Sequence, residues 1–138
     1  MVEISIAYEG GFHCFAIHEP SRAKLLTDAP KDNLGKGEAF SPTDLTATSL
    51  GVCMLTTMAI AAAKLSLDLD LSGMRAIVRK HMTAEPPRRI QRLEVNVKIP
   101  LPETLPSRAT LEEGARNCPV ALSLHPEIEK AVTFSWRS

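Results

Sequence analysis

Ser41-Pro42-Thr43-Asp44-Leu45-Thr46-Ala47-Thr48-Ser49-Leu50-Gly51-Val52-Cys53-Met54-Leu55-Thr56-Thr57-Met58-Ala59-Ile60-Ala61-Ala62-Ala63-Lys64-Leu65 is the stretch that decides the fold. It opens as a helix should. Ser41 suits the cap that satisfies orphan amides, Pro42 suits the first helical position, and Asp44 falls in the first turn, where the helix dipole favours negative charge. From Leu45 onward there is no proline, and no charge before Lys64, while Ala, Leu and Met dominate. The segment is therefore helix-prone and apolar on nearly every face, and it is expected to be buried almost all round. Its length is about the 20 residues that a bilayer span needs. Thr46, Thr48, Ser49, Gly51, Thr56 and Thr57 interrupt the apolar run, however, and the rest of the chain is strongly amphipathic. A central helix of an α+β domain fits better than a membrane span.

The chain has 138 residues, enough for one core, and is expected to form a single domain over 1–138. Lys plus Arg equals Asp plus Glu at 16 each, so no net field attracts nucleic acid or an acidic membrane, and Arg88-Arg89 is too short for a nucleic-acid patch. Small-molecule or protein partners are expected instead. The N-terminus alternates like a strand and lacks a charged-then-apolar leader, which points to the cytoplasm. There the three cysteines would stay reduced, leaving core, metal or redox roles rather than a disulfide framework.

Working outward from the helix, residues 2–8 and 12–18 read as a hairpin around Gly10-Gly11, and 23–27 as a third short strand. A loop rich in Asp, Pro, Gly and Lys, 28–39, leads into the helix. Beyond it, Leu67, Leu69 and Leu71 alternate with Asp68 and Asp70, and 74–83 and 89–99 read as strands. In the second, Ile90, Leu93, Val95, Val97 and Ile99 form one face. A short helix over 107–117 turns Leu111 and Ala115 inward, a helical turn follows at 120–124, and 130–136 closes the chain as a strand. Strands, long helix, two strands, short helix, strand make an α+β fold with an antiparallel sheet and the helices on one face. One small sheet cannot cover both sides of an all-apolar helix, so a homodimer is expected.

Cys53, in mid-helix, and Cys118, just before Pro119, are the side chains to weigh for chemistry. On the residues alone, the simplest reading is that both are small buried side chains, as free cysteine usually is. Their separation of 65 positions carries no distance information. Cys14 shares the alternation of the second strand and reads as a packed strand residue. His13, His18, His81 and His125 show no metal-ligand spacing, so no metal is expected. Gly35-Lys36-Gly37 lacks the spacing of a phosphate cradle.

The run from Ser41 to Cys53, followed by Ala115-Arg116-Asn117-Cys118-Pro119-Val120, resembles the OsmC/Ohr family of osmotically inducible and organic hydroperoxide resistance proteins. The amphipathic region from Arg75 to Ile99 resembles the paired strands that this family places between its helices, and the match covers most of the chain. The resemblance implies an intertwined homodimer with no cofactor, acting as a thiol peroxidase on organic hydroperoxides. Cys53 would be the peroxidatic residue and Cys118 the resolving one, and their disulfide would be reset by an external dithiol of lipoyl or thioredoxin type. The family supplies a cationic activator, an N-terminal arginine held by a glutamate directly after the helix-opening proline. Here Thr43 stands in that position. Arg22 is the only arginine before the helix, and Asp44 and Glu38 are the nearest carboxylates, which makes the chain resemble a divergent branch. Two competing expectations remain: a non-catalytic dimer that binds a small hydrophobic ligand in an interfacial pocket, and a structural dimer whose cysteines are core.

Overall fold

The computed structural model describes residues 1–138, which form two compact units, Met1–Thr46 and Ala47–Ser138. In the first, β1 (Ile4–Gly10), β2 (His13–His18) and β3 (Lys24–Asp28) form an antiparallel meander in the order β1-β2-β3. Gly10, Gly11 and Phe12 all take positive φ at the first turn, a conformation that glycine adopts without penalty. Loop 29–40 returns to β3, where the Asp28 amide donates to the Phe40 carbonyl and Thr27 bridges to Phe40.

The long helix α1 (Pro42–Lys64) begins as its sequence dictates. The Asp44 amide donates to Ser41 Oγ at 3.1 Å, and the Ser41 amide donates to Asp44 Oδ2 at 2.9 Å. This reciprocal pair is a capping box with aspartate at the third helical position, and a cap of this kind contributes about 1 kcal/mol.

In the second unit, β4 (Arg75–Met82), β5 (Ile90–Pro102) and β6 (Glu129–Arg137) form a sheet in the order β4-β5-β6. Every strand pair in the chain is antiparallel except β5 with β6, which run parallel. The connection from β5 to β6 carries α2 (Arg108–Arg116) and α3 (Pro119–Ser123), and a crossover of that length is what a parallel pair requires. Gln91 is an extra residue where the β4–β5 register shifts. The bulge turns Ile90 to the same face as Leu93, Val95, Val97 and Ile99, and all five are buried.

That face of β5 packs with Ala47, Leu50, Met54, Met58 and Ala62 of α1 and with Leu111 and Ala115 of α2 into one core. Gly51 lets α1 approach β4 closely, since a Cβ there would sit 2.8 Å from Val78 Cγ2. The burial of α1 is one-sided within the chain, because Val52 and Ile60 remain exposed on the other face. Leu67, Leu69 and Leu71 pack against the core without joining a strand. Trp136 Nε1 donates to Glu112 Oε1 at 2.7 Å and Arg108 Nε donates to the same oxygen at 2.9 Å, tying α2 to β6.

Candidate functional site

Cys53 lies on the fourth turn of α1, half-buried against the core, with Thr57 Oγ1 one turn further on at 3.9 Å from its Sγ. Cys118 is completely buried and stands between α2 and α3 with an extended backbone, φ −62° and ψ 153°. Pro119 forces that geometry, because its ring excludes helical conformation in the residue before it, and it then starts α3 at the position proline favours. The chain therefore turns at Cys118 instead of continuing α2.

Cys118 belongs to the core cluster, and Cys53 packs against that cluster. Burial pushes the Cys118 thiol up from its ordinary value, while the backbone amides of Ala121 and Val120 pull the other way and the Cys53 thiol adds to the rise. Both cysteines are free. At neutral pH Cys118 is thus a protonated thiol inside the core against which the more accessible Cys53 packs.

The sign of this shift gives a pH prediction. A thiol whose folded pKa is raised holds its proton more tightly in the native state, so its contribution is complete below the unfolded value and is lost as pH rises. The native state should lose stability from about pH 9 upward, the ordinary thiol value for Cys118. In urea titrations across that range, Cys118→Ala should flatten the alkaline fall; an equally steep fall in the variant would remove Cys118 as its source. Iodoacetamide at neutral pH should label Cys53 and leave Cys118 unmodified until unfolding.

The charged candidates all lie in the first unit. Arg22 has positive φ at the β2–β3 turn and ion-pairs with Glu19. Asp44 is the capping partner of Ser41, and Glu38 Oε2 lies 3.5 Å from His13 Nε2. Sequence reading did not single out Thr57, although its i+4 spacing from Cys53 was visible. Nor did it group His13 with Asp28 and Glu38. The donor atoms of these three residues all lie within 4.8 Å of one another, because His13 and Asp28 are register partners across β2 and β3. Asp28 is buried, and its carboxyl is held below the usual carboxylate range chiefly by the Glu38 amide, against the opposing effect of burial.

The family model of OsmC-like proteins matches residues 35–132, a span that contains α1, both cysteines and the sheet up to β6. The chain belongs to the OsmC-like protein family. This OsmC-like chain is similar to a protein of Psychrobacter arcticus 273-4 named for osmotic stress induction and a detoxification response, with 40% identity and a TM-score of 0.89 over 97% of this chain and 96% of that one. In fold it is also similar to the organic hydroperoxide resistance protein OsmC of Legionella pneumophila, at 15% identity, TM-score 0.76, and coverage of 98% and 96%. The OsmC like protein of Mycoplasma pneumoniae is similar at 14% identity, TM-score 0.81, and coverage of 100% and 98%. A comparison with curated proteins found no match. The family includes organic hydroperoxide resistance proteins.

Proposed function

We propose that this OsmC-like protein is a cytoplasmic, homodimeric thiol peroxidase that reduces organic hydroperoxides through Cys53, with Cys118 as the resolving thiol. The observation that supports this reading is that a half-buried cysteine packs against the same core cluster that holds a fully buried one, although the two are 65 positions apart in sequence. The Cys53 thiolate attacks the peroxide oxygen distal to the organic group, the O–O bond breaks, and the alkoxide leaves with a proton as the alcohol. Cys53 is now a sulfenic acid. The Cys118 sulfur then attacks the Cys53 sulfur, the S–S bond forms, and hydroxide leaves with the Cys118 proton as water. An external dithiol of lipoyl or thioredoxin type reduces the disulfide, taking up the two oxidising equivalents.

Substrate preference follows from the surroundings. Cys53 packs against the apolar core cluster, which supports a hydrocarbon-bearing peroxide over hydrogen peroxide, and Thr48, Gly51, Val52, Leu55, Ala76 and Val78 line a separate apolar groove along α1 and β4. The exposed Val52 and Ile60 on the same helix support the homodimer, since a second chain would cover them. Arg22 is proposed as the cationic activator, with Asp44 and Glu38 as the carboxylates available to position it.

Mass spectrometry of the reduced protein after about one equivalent of cumene hydroperoxide tests the reading. Loss of two hydrogens, mapped to a Cys53–Cys118 disulfide and faster than with hydrogen peroxide, is the expected result. An unchanged mass would sink it and favour a dimer that binds a small hydrophobic ligand in the groove. If Arg22→Ala leaves the rate unchanged, the activator assignment fails while the cysteine mechanism stands.

A further inference from the structure

The geometry points to a divalent transition-metal site in the N-terminal unit, formed by His13 Nε2, Asp28 Oδ1 and Glu38 Oε2. It uses neither Cys53 nor Cys118, and it shares only Glu38 with the residues proposed above for the peroxidase. His13 Nε2 stands 3.5 Å from Asp28 Oδ1 and 3.5 Å from Glu38 Oε2. These separations are long for hydrogen bonds, which cluster near 2.9 Å. They match the ligand-to-ligand edge of a tetrahedron whose metal bonds are about 2.1 Å, which is roughly 3.4 Å.

The two oxygens of Asp28 are used differently, and the difference points to a cation. Oδ2 accepts hydrogen bonds from the backbone amides of Lys36 at 3.2 Å and Glu38 at 2.9 Å. Oδ1 is buried, accepts no hydrogen bond, and is aimed at His13. A fully enclosed carboxylate oxygen left without a donor is costly unless a positive charge meets it. Lys36 pairs only with the other oxygen of Glu38, Oε1, at 3.9 Å, so Oε2 remains turned towards His13.

The loop is built to hold this arrangement. Gly35 admits no side chain, since a Cβ would lie 1.7 Å from the Ala29 carbonyl oxygen, and its amide donates to Pro30. That closure carries Lys36 and Glu38 back over Asp28, while β2–β3 register sets His13 opposite Asp28. One imidazole and two carboxylates suit a borderline cation such as Zn²⁺, Fe²⁺ or Mn²⁺, with water completing the shell. Binding would clasp loop 29–40 to the sheet and stabilise the native state, because the unfolded chain does not hold the three ligands together.

The test is calorimetric titration of Zn²⁺ into the full-length, untagged, chelator-treated chain in a Cys14→Ser/Cys53→Ser/Cys118→Ser background, which removes all three competing thiols. One ion per chain and a raised melting temperature are expected. His13→Gln and Glu38→Gln, both at partly exposed positions, should each weaken binding at least tenfold and abolish the thermal shift, with circular dichroism confirming that both fold. No saturable binding, or unchanged affinity in either variant, overturns the site and leaves His13 as a charge bridge between two carboxylates.

Discussion

Cys53→Ser is expected to abolish hydroperoxide turnover, lowering the rate by at least about a thousandfold, because a serine hydroxyl is neither ionised at neutral pH nor capable of a sulfenic intermediate. Loss of Cys118 should have a different signature. Without the resolving thiol the first step still proceeds, so Cys118→Ser should consume one equivalent of peroxide, gain one oxygen atom at Cys53, and then stop. Dimedone labels that sulfenic acid, and cumene hydroperoxide consumption in the presence of a dithiol measures turnover. The burial difference between the two thiols underlies this asymmetry: half-buried Cys53 can admit a substrate, whereas Cys118 has no exposed surface and lies within the core cluster. Equal loss of the first step in both variants would show that Cys118 acts before the sulfenic acid forms. Sustained turnover in Cys53→Ser would remove the peroxidase reading altogether.

Leu50→Ala should be the most destabilising change within α1 that leaves both thiols in place. Leu50 has no exposed surface and packs in the core shared with β5 and α2. Deleting its side chain removes transferred apolar surface and leaves a cavity that a rigid sheet fills poorly, at a cost of about 3 kcal/mol. For a chain of this size that corresponds to a fall in melting temperature of about 10 °C. Val52, two positions on, provides the internal control because it is exposed in the chain. If α1 faced only water there, Val52→Ala would change stability by no more than about 0.5 kcal/mol. In the proposed homodimer it is covered, so the loss should be larger and should depend on protein concentration in thermal melts. A small loss independent of concentration argues against a partner on this face.

The features legible in the sequence are those governed by short-range chemistry. Ser41, Pro42 and Asp44 specify the start of α1 through capping contacts three residues long, and the structure shows both capping hydrogen bonds. Pro119 dictates that α2 ends and that Cys118 takes an extended backbone. Alternation along β5 marks the face that meets the core, since successive strand residues point to opposite sides. The motif around the two cysteines is sufficient to recognise the family.

The remaining features depend on contacts between residues distant in sequence. The parallel direction of β6 follows from where the α2–α3 crossover lands, which strand propensity alone does not encode. The Gln91 bulge, which brings Ile90 onto the buried face, is a property of the β4–β5 pairing. One-sided burial of α1 reflects how much surface one sheet can cover, whereas apolar composition reports only what would be covered if partners were present. Cys53 and Cys118 carry no mutual distance in their spacing, and the helix and turn that hold them place both at one core cluster. His13, Asp28 and Glu38 show no ligand periodicity because strand register and a loop closure at Gly35 assemble them. The sequence by itself determined the elements, their caps and the family. The tertiary structure decided pairings, directions and side-chain meetings, because these depend on long-range register and packing that no local pattern contains.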